Sequence, residues 1–166
     1  LPDGYVIGAL AAVNAGGDVY DETTGRIVAG ARSPTGRGWL AEDLAAGMPG
    51  PAAPPLRAGT NTTLAVVATD APWSKAELAK IAQMAHDGLA LAIRPAHTPM
   101  DGDVVFALSM ARPGAAAPTP DGWPVALALA GALAARTLAR AVVKAVQAAS
   151  GLHGVPAVRD LLPGGA

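Results

Sequence analysis

Four residues near the middle of the chain, Gly59-Thr60-Asn61-Thr62, run through a second threonine, Thr63, into the apolar β-branched stretch Leu64 to Ala68. A threonine hydroxyl is a weak nucleophile until a base stands beside it, and a free α-amine on the same residue can be that base. The α-amine ordinarily titrates at about 7.7–8.0, so it accepts a proton near neutrality, where most side chains cannot. An internal threonine acquires that amine only when the bond before it is cut. The Thr62 hydroxyl could attack the Asn61 carbonyl, move the acyl group from nitrogen to oxygen and leave water to release it. Gly59 permits a close approach and the following strand would fix Thr62 in place. An ordinary loop entering a strand has the same composition, and Asn-Thr pairs are common.

Other chemistry-bearing residues lie further along. Asp101-Gly102-Asp103 precedes another apolar run, Val104 to Met110. Two carboxylates held close raise one another's pKa or demand a cation or a hydrogen-bond donor; a turn with two exposed acids is the plainer alternative. Asn14, before Gly16-Gly17, is turn chemistry or a side-chain amide aimed at a developing oxyanion. His97, Asp101 and Asp103 share one short loop but lack the further oxygen ligands a cation would need. His86, next to an apolar helix position, reads as a hydrogen-bonded structural residue. No phosphate-cradling glycine loop, dinucleotide fingerprint, nucleophile elbow or zinc-binding helix motif is present. No cofactor and no metal is expected.

Composition narrows the field. The chain has 166 residues, suited to one domain; it is 51% hydrophobic but only 4% aromatic, so its core must be built from Ala, Val, Leu and Ile. The formal charge of −1 argues against nucleic acid or an anionic membrane surface as partner. There is no cysteine, which excludes disulfides, thiolate nucleophiles and thiolate-bound zinc. The first residue is Leu and no signal pattern is visible, so the expectation is an internal or C-terminal piece of a longer, cytoplasmic chain. Trp123 to Ala135 is apolar for about a dozen residues before Arg136, short of the ~20 that span a bilayer, and reads as a buried helix.

The elements that must position these groups follow from the pattern. Tyr5 to Val13 reads as a strand, and Asp18 to Tyr20 and Arg26 to Ala29 flank "DETTG" as a hairpin. Residues 30–59 are crowded with Gly and Pro, a loop of about 30 residues that is unusual inside a compact domain. Leu64 to Ala68 lacks polar alternation, which predicts a strand buried on both faces. Ser74 to Arg94 reads as one helix: Ser74 and Glu77 form a capping box, and Leu78, Ile81, Ala85, Leu89 and Ala92 share a face. A buried strand over 103–110, a Pro/Ala/Gly linker and a long helix over 125–149 complete the chain. Arg136, Arg140 and Lys144 recur every four residues as its solvated stripe. The order predicts an α/β layered domain.

Together "GTNTTLAVVATDAPWSKAEL", "KIAQMAHDGLALAIRPAHTPMDGDVVFAL" and "GYVIGALAAVNAGGDV" resemble the L-aminopeptidase/D-esterase family of self-cleaving N-terminal-nucleophile hydrolases. Within it they resemble the nylon-degrading branch, the endo-type 6-aminohexanoate-oligomer hydrolases. The match spans roughly residues 1 to 30 and 58 to 112. The resemblance implies a stacked αββα sandwich, of which this stretch is the C-terminal part. It implies cleavage at Asn61–Thr62, giving residues 1–61 as the end of an α piece and 62–166 as a β piece of one domain. It makes Thr62 the nucleophile, Asn14 an oxyanion donor, and Asp101 and Asp103 the pair that orients the nucleophile and its amine. The implied substrate is a linear 6-aminohexanoate oligomer or similar unbranched amide. An aminopeptidase acting on short peptides with small or β-amino N-terminal residues is the alternative within the family. A tetramer of αβ units is also implied, as is a lysine from an upstream part of the α piece. Neither Lys75 nor Lys80 fills that place, since both follow the nucleophile strand. A non-catalytic fragment lacking the lysine-bearing part is the rival from another class, and a metal-dependent hydrolase a more distant one.

Overall fold

The computed structural model describes residues 4–35, 38–50, 61–115 and 123–161. Residues 51–60, including Gly59, and residues 116–122 of the second linker fall outside the described residues.

The core is a three-stranded sheet in the order β1-β4-β6, formed by β1 (Ile7–Ala12), β4 (Leu64–Thr69) and β6 (Val104–Ser109). β1 runs antiparallel to β4, with Ala12 opposite Leu64, and β6 runs parallel to it, with Val104 opposite Leu64. Parallel neighbours need a crossover, and the chain between them supplies helices α2 (Lys75–Ala85) and α3 (Asp87–Ala92). The expected capping box starts α2: Ser74 Oγ accepts the Glu77 amide and Glu77 returns a carboxylate oxygen to the Ser74 amide. The single helix predicted over 74–94 is instead two, divided at His86, and the chain leaves α3 directly into the two-residue strand β5 (Ile93–Arg94). Gly88 sets how closely α3 packs. A Cβ there would strike the Ala135 carbonyl, so only glycine lets α3 approach the backbone of helix α4 (Trp123–Ala148) this closely.

The hairpin forms as predicted, β2 (Asp18–Tyr20) against β3 (Ile27–Ala29), with Gly25 at φ +67° and Asp21 Oδ1 accepting the Thr23 and Thr24 amides. β5 adds to its other edge, making a second small sheet, β3-β2-β5. The Gly/Pro-rich stretch is not all loop, because it contains a short helix, α1 (Leu40–Ala45). A four-residue helix, α5 (Val158–Leu161), follows α4.

α2 and α4 cover one face of the main sheet. Val67, Ile81, Ala85, Ala130 and Ala134 form one cluster there; Ala65, Leu89, Ala92, Leu138 and Val142 form another with Val19 of the small sheet. Small alanines spaced by four along α4 let it lie close to the sheet, and Arg136, Arg140 and Lys144 are exposed on its outer side, as predicted. Arg136 Nε reaches Glu22 at 3.7 Å. α4 is an uninterrupted helix of 26 residues, so the length argument against a membrane span does not hold; Pro124–Ala148 is long and apolar enough to cross one. What marks it as a core helix is its fully buried face.

Burial on both faces of β4 is not what the described residues show. The opposite face of the sheet carries Leu10, Leu64 and Phe106 at 74%, 50% and 59% exposure. β4 and β6 lack polar alternation for another reason: the side chains on their open face are apolar too.

Candidate active site

The candidate residues converge at one end of β4 because strand register leaves them nowhere else to go. β6 runs beside β4 in parallel register, and the ladder continues below both strands as a bridge between Asn61 and Asp101. Thr62 therefore falls beside Gly102, and Thr63 beside Asp103. On the other side β1 runs antiparallel to β4 and brings Asn14 alongside Thr62.

The Asn61–Thr62 peptide is held from both sides. The Thr62 N–H donates to the Asn14 carbonyl at 2.8 Å, and the Gly102 N–H donates to the Asn61 carbonyl at 2.8 Å. Next along the chain, the Thr63 N–H donates to Asp103 Oδ1 at 2.7 Å and the Val104 N–H to the Thr63 carbonyl at 3.1 Å. Asp101 Oδ2 accepts the Thr98 amide at 2.8 Å, closing the turn that enters β6. The two aspartates are thus not a bare acidic pair, since each carboxylate holds a backbone N–H, as buried or clustered charge requires. In the intact chain Asp103 grips the residue after the candidate nucleophile, and Asn14 presents its main-chain carbonyl to the nitrogen that cleavage there would turn into an amine.

Thr62 is half-buried and Gly102 exposed, so the bond is reachable from one side. A Cβ at Gly16 would lie 2.6 Å from Asn61 Nδ2, which packs that side chain against the glycine turn after β1. Behind the aspartates the rings of His86 and His97 stack with centroids 4.6 Å apart, and His86 Nε2 faces the Asp103 carbonyl at 3.4 Å. The structural reading of His86 fits this packing. Among the described residues no group of three or more His, Asp or Glu is arranged to hold a metal ion. Lys75 and Lys80 are exposed on α2.

Two residues here escaped the sequence reading. Gly102 counted only as a spacer between aspartates, and Thr63 only as the start of a strand. The signal was available in the matched lengths of the two segments: "NTT" before "LAVVAT" and "DGD" before "VVFALS" pair residue for residue once the strands are parallel.

Chemically, the arrangement immobilises one peptide bond at both its donor and its acceptor. It sets a hydroxyl on the residue that follows the carbonyl, and closes the far side with two carboxylates.

Known proteins match this chain along its length. It is 43% identical over 187 aligned residues to an uncharacterized aminopeptidase of Mycobacterium tuberculosis, covering 99% of this chain and 50% of that protein. An uncharacterized aminopeptidase of Mycobacterium leprae is 39% identical, again over 99% of this chain and 46% of that protein. The chain thus spans about half the length of these relatives. The 6-aminohexanoate-oligomer endohydrolase of Kocuria sp. is 38% identical over only 56 residues, 34% of this chain and 16% of that protein. The solved L-aminopeptidase D-Ala-esterase/amidase of Ochrobactrum anthropi, described as a variant of the Ntn-hydrolase fold, aligns at 18% identity. It covers 90% of this chain and 42% of its own, with a TM-score of 0.48. The sequence profile of peptidase family S58 matches residues 1–159, and the chain belongs to that family.

Proposed function

We propose that this chain is the nucleophile-bearing part of a self-processing amide hydrolase, cut at Asn61–Thr62 and working through the Thr62 hydroxyl with its freed amine as base. The observation that carries the reading is the double clamp on that bond, by the Asn14 carbonyl and the Gly102 N–H. A clamp on both the N–H and the C=O of the bond lowers the entropic cost of attack by holding the carbonyl in one orientation. In turnover Thr62 Oγ attacks a substrate amide carbonyl, its proton passing to the α-amine and on to the leaving amine. Water then cleaves the resulting ester and restores the hydroxyl.

For the substrate, the reading divides. The aminopeptidase relatives align over the whole chain, which favours short peptides with a free N-terminus. Linear 6-aminohexanoate oligomers rest on a match confined to about a third of the chain. A blocked internal amide assayed beside a free aminoacyl anilide separates the two, because only the endo-type enzyme cuts the blocked one.

The apolar outer face around Leu10, Leu64 and Phe106 supports a further part of the same reading. The upstream remainder of the chain, carrying the second sheet of the sandwich and a lysine, covers that face, and αβ units assemble as a tetramer.

Intact mass with N-terminal sequencing of the purified full-length protein tests the reading. A piece beginning Thr-Thr-Leu-Ala supports it, and a chain that turns over amide while uncut at Asn61 refutes it.

A further inference from the structure

Gly102 touches both halves of the reacting pair. Its N–H donates to the Asn61 carbonyl oxygen at 2.8 Å. A Cβ in its place would stand 2.7 Å from Thr62 Oγ1 and 3.8 Å from Thr62 Cβ. The missing side chain is the space the hydroxyl occupies, and the amide beside it already points at the oxygen on which negative charge develops when the hydroxyl attacks.

We propose that Gly102 is a catalytic residue through its backbone: its N–H is the oxyanion donor for self-cleavage, and the same N–H then stabilises the oxyanion of each substrate. This rests on the reading of Thr62 as nucleophile. In self-cleavage a C–O bond forms from Thr62 Oγ to the Asn61 carbonyl carbon, and the C–N bond to Thr62 breaks. The hydroxyl proton ends on the departing nitrogen. Water then adds to the ester, leaving the Asn61 carboxylate and the Thr62 hydroxyl. The acyl group of a substrate is attacked by the same oxygen, so its carbonyl oxygen takes the place the Asn61 oxygen held. One donor serves both reactions because one nucleophile does. A backbone amide fixed by a parallel ladder cannot reorient, which is the property an oxyanion donor needs.

The steric half carries its own signature. Threonine has two heavy atoms on Cβ, so one of the two rotamers that turn its hydroxyl away from a methyl group at position 102 places its own methyl there instead, which narrows its escape. Serine has no such methyl and can turn freely.

The test follows the appearance of the Thr62 N-terminus over time in the full-length protein, with folding checked by thermal melting. Gly102→Pro, which removes the N–H, slows self-cleavage by about a hundredfold, the scale on which single oxyanion donors act. Gly102→Ala keeps the N–H but crowds the hydroxyl, and Thr62→Ser in the Gly102→Ala background recovers about tenfold of its loss. Equal rates for Gly102→Pro and the parent protein overturn the inference while leaving Thr62 as nucleophile. Failure of the parent to produce a Thr62 terminus refutes the reading beneath it, and the inference with it. Should Gly102→Pro not fold, a crystal structure of the uncut Thr62→Ala protein decides. A Gly102 N to Asn61 O separation near 2.9 Å supports the donor, and one beyond about 3.5 Å removes it.

Discussion

Asp103 holds Thr63, the residue after the candidate nucleophile, through a 2.7 Å hydrogen bond from the Thr63 N–H to Asp103 Oδ1. The carboxylate thereby pins the first turn of backbone beyond Thr62 to the start of β6. Removing the acceptor leaves a half-buried N–H unpaired, at a cost of about 1–3 kcal/mol. Asp103→Ala should therefore destabilise the full-length protein by that amount in a denaturant titration. Asp103→Asn, which keeps an oxygen acceptor, should lose less than half as much. Equal losses for the two would show that the bond does not matter to stability.

Thr62→Ala removes the proposed nucleophile and should leave the chain uncut, with amide turnover reduced by at least about a thousandfold, in line with the loss of other catalytic nucleophiles. Mass spectrometry and a turnover assay on one preparation check both outcomes. Residual activity near the parent level would place the chemistry elsewhere.

The Thr63 hydroxyl is fully buried and, among the described residues, has no hydrogen-bond partner. An unpaired buried hydroxyl costs about 1–3 kcal/mol relative to an apolar group of the same shape. Thr63→Val should thus raise the melting temperature and leave turnover within about twofold of the parent. A fall in turnover with stability gained would mean that the hydroxyl serves the site instead of the core.

At the helix crossing, a Cβ on Gly88 would meet the Ala135 carbonyl, and a backbone carbonyl cannot swing aside. Gly88→Ala should cost about 1–3 kcal/mol, the usual range for overpacking. It should also shift the register of α3 on α4 rather than unfold the chain. A neutral substitution in calorimetry would show that the two helices have room to part.

Much of the fold was legible beforehand, for identifiable reasons. The hairpin around Asp21 to Gly25, the capping box at Ser74 and Glu77, and the charged stripe of α4 are local features, set by neighbours three or four residues apart. The close packing of Gly88 on the Ala135 carbonyl was hidden because that partner lies far along the chain. The exposure of Leu10, Leu64 and Phe106 was hidden as well, because an apolar strand face reads the same whether it is covered or open.

By itself the sequence determined which residues could carry chemistry: a threonine entering an apolar strand, two aspartates around a glycine, and an asparagine before a glycine turn. Spacing and side-chain type are enough for that. Only the tertiary structure decided that these segments meet, since the parallel register of β4 and β6 and the antiparallel register of β1 are properties of strand pairing across the chain. That pairing turned Gly102 from a spacer into the residue facing both the Asn61 carbonyl and the Thr62 hydroxyl, because a backbone N–H has no identity in a sequence until its partner is in place.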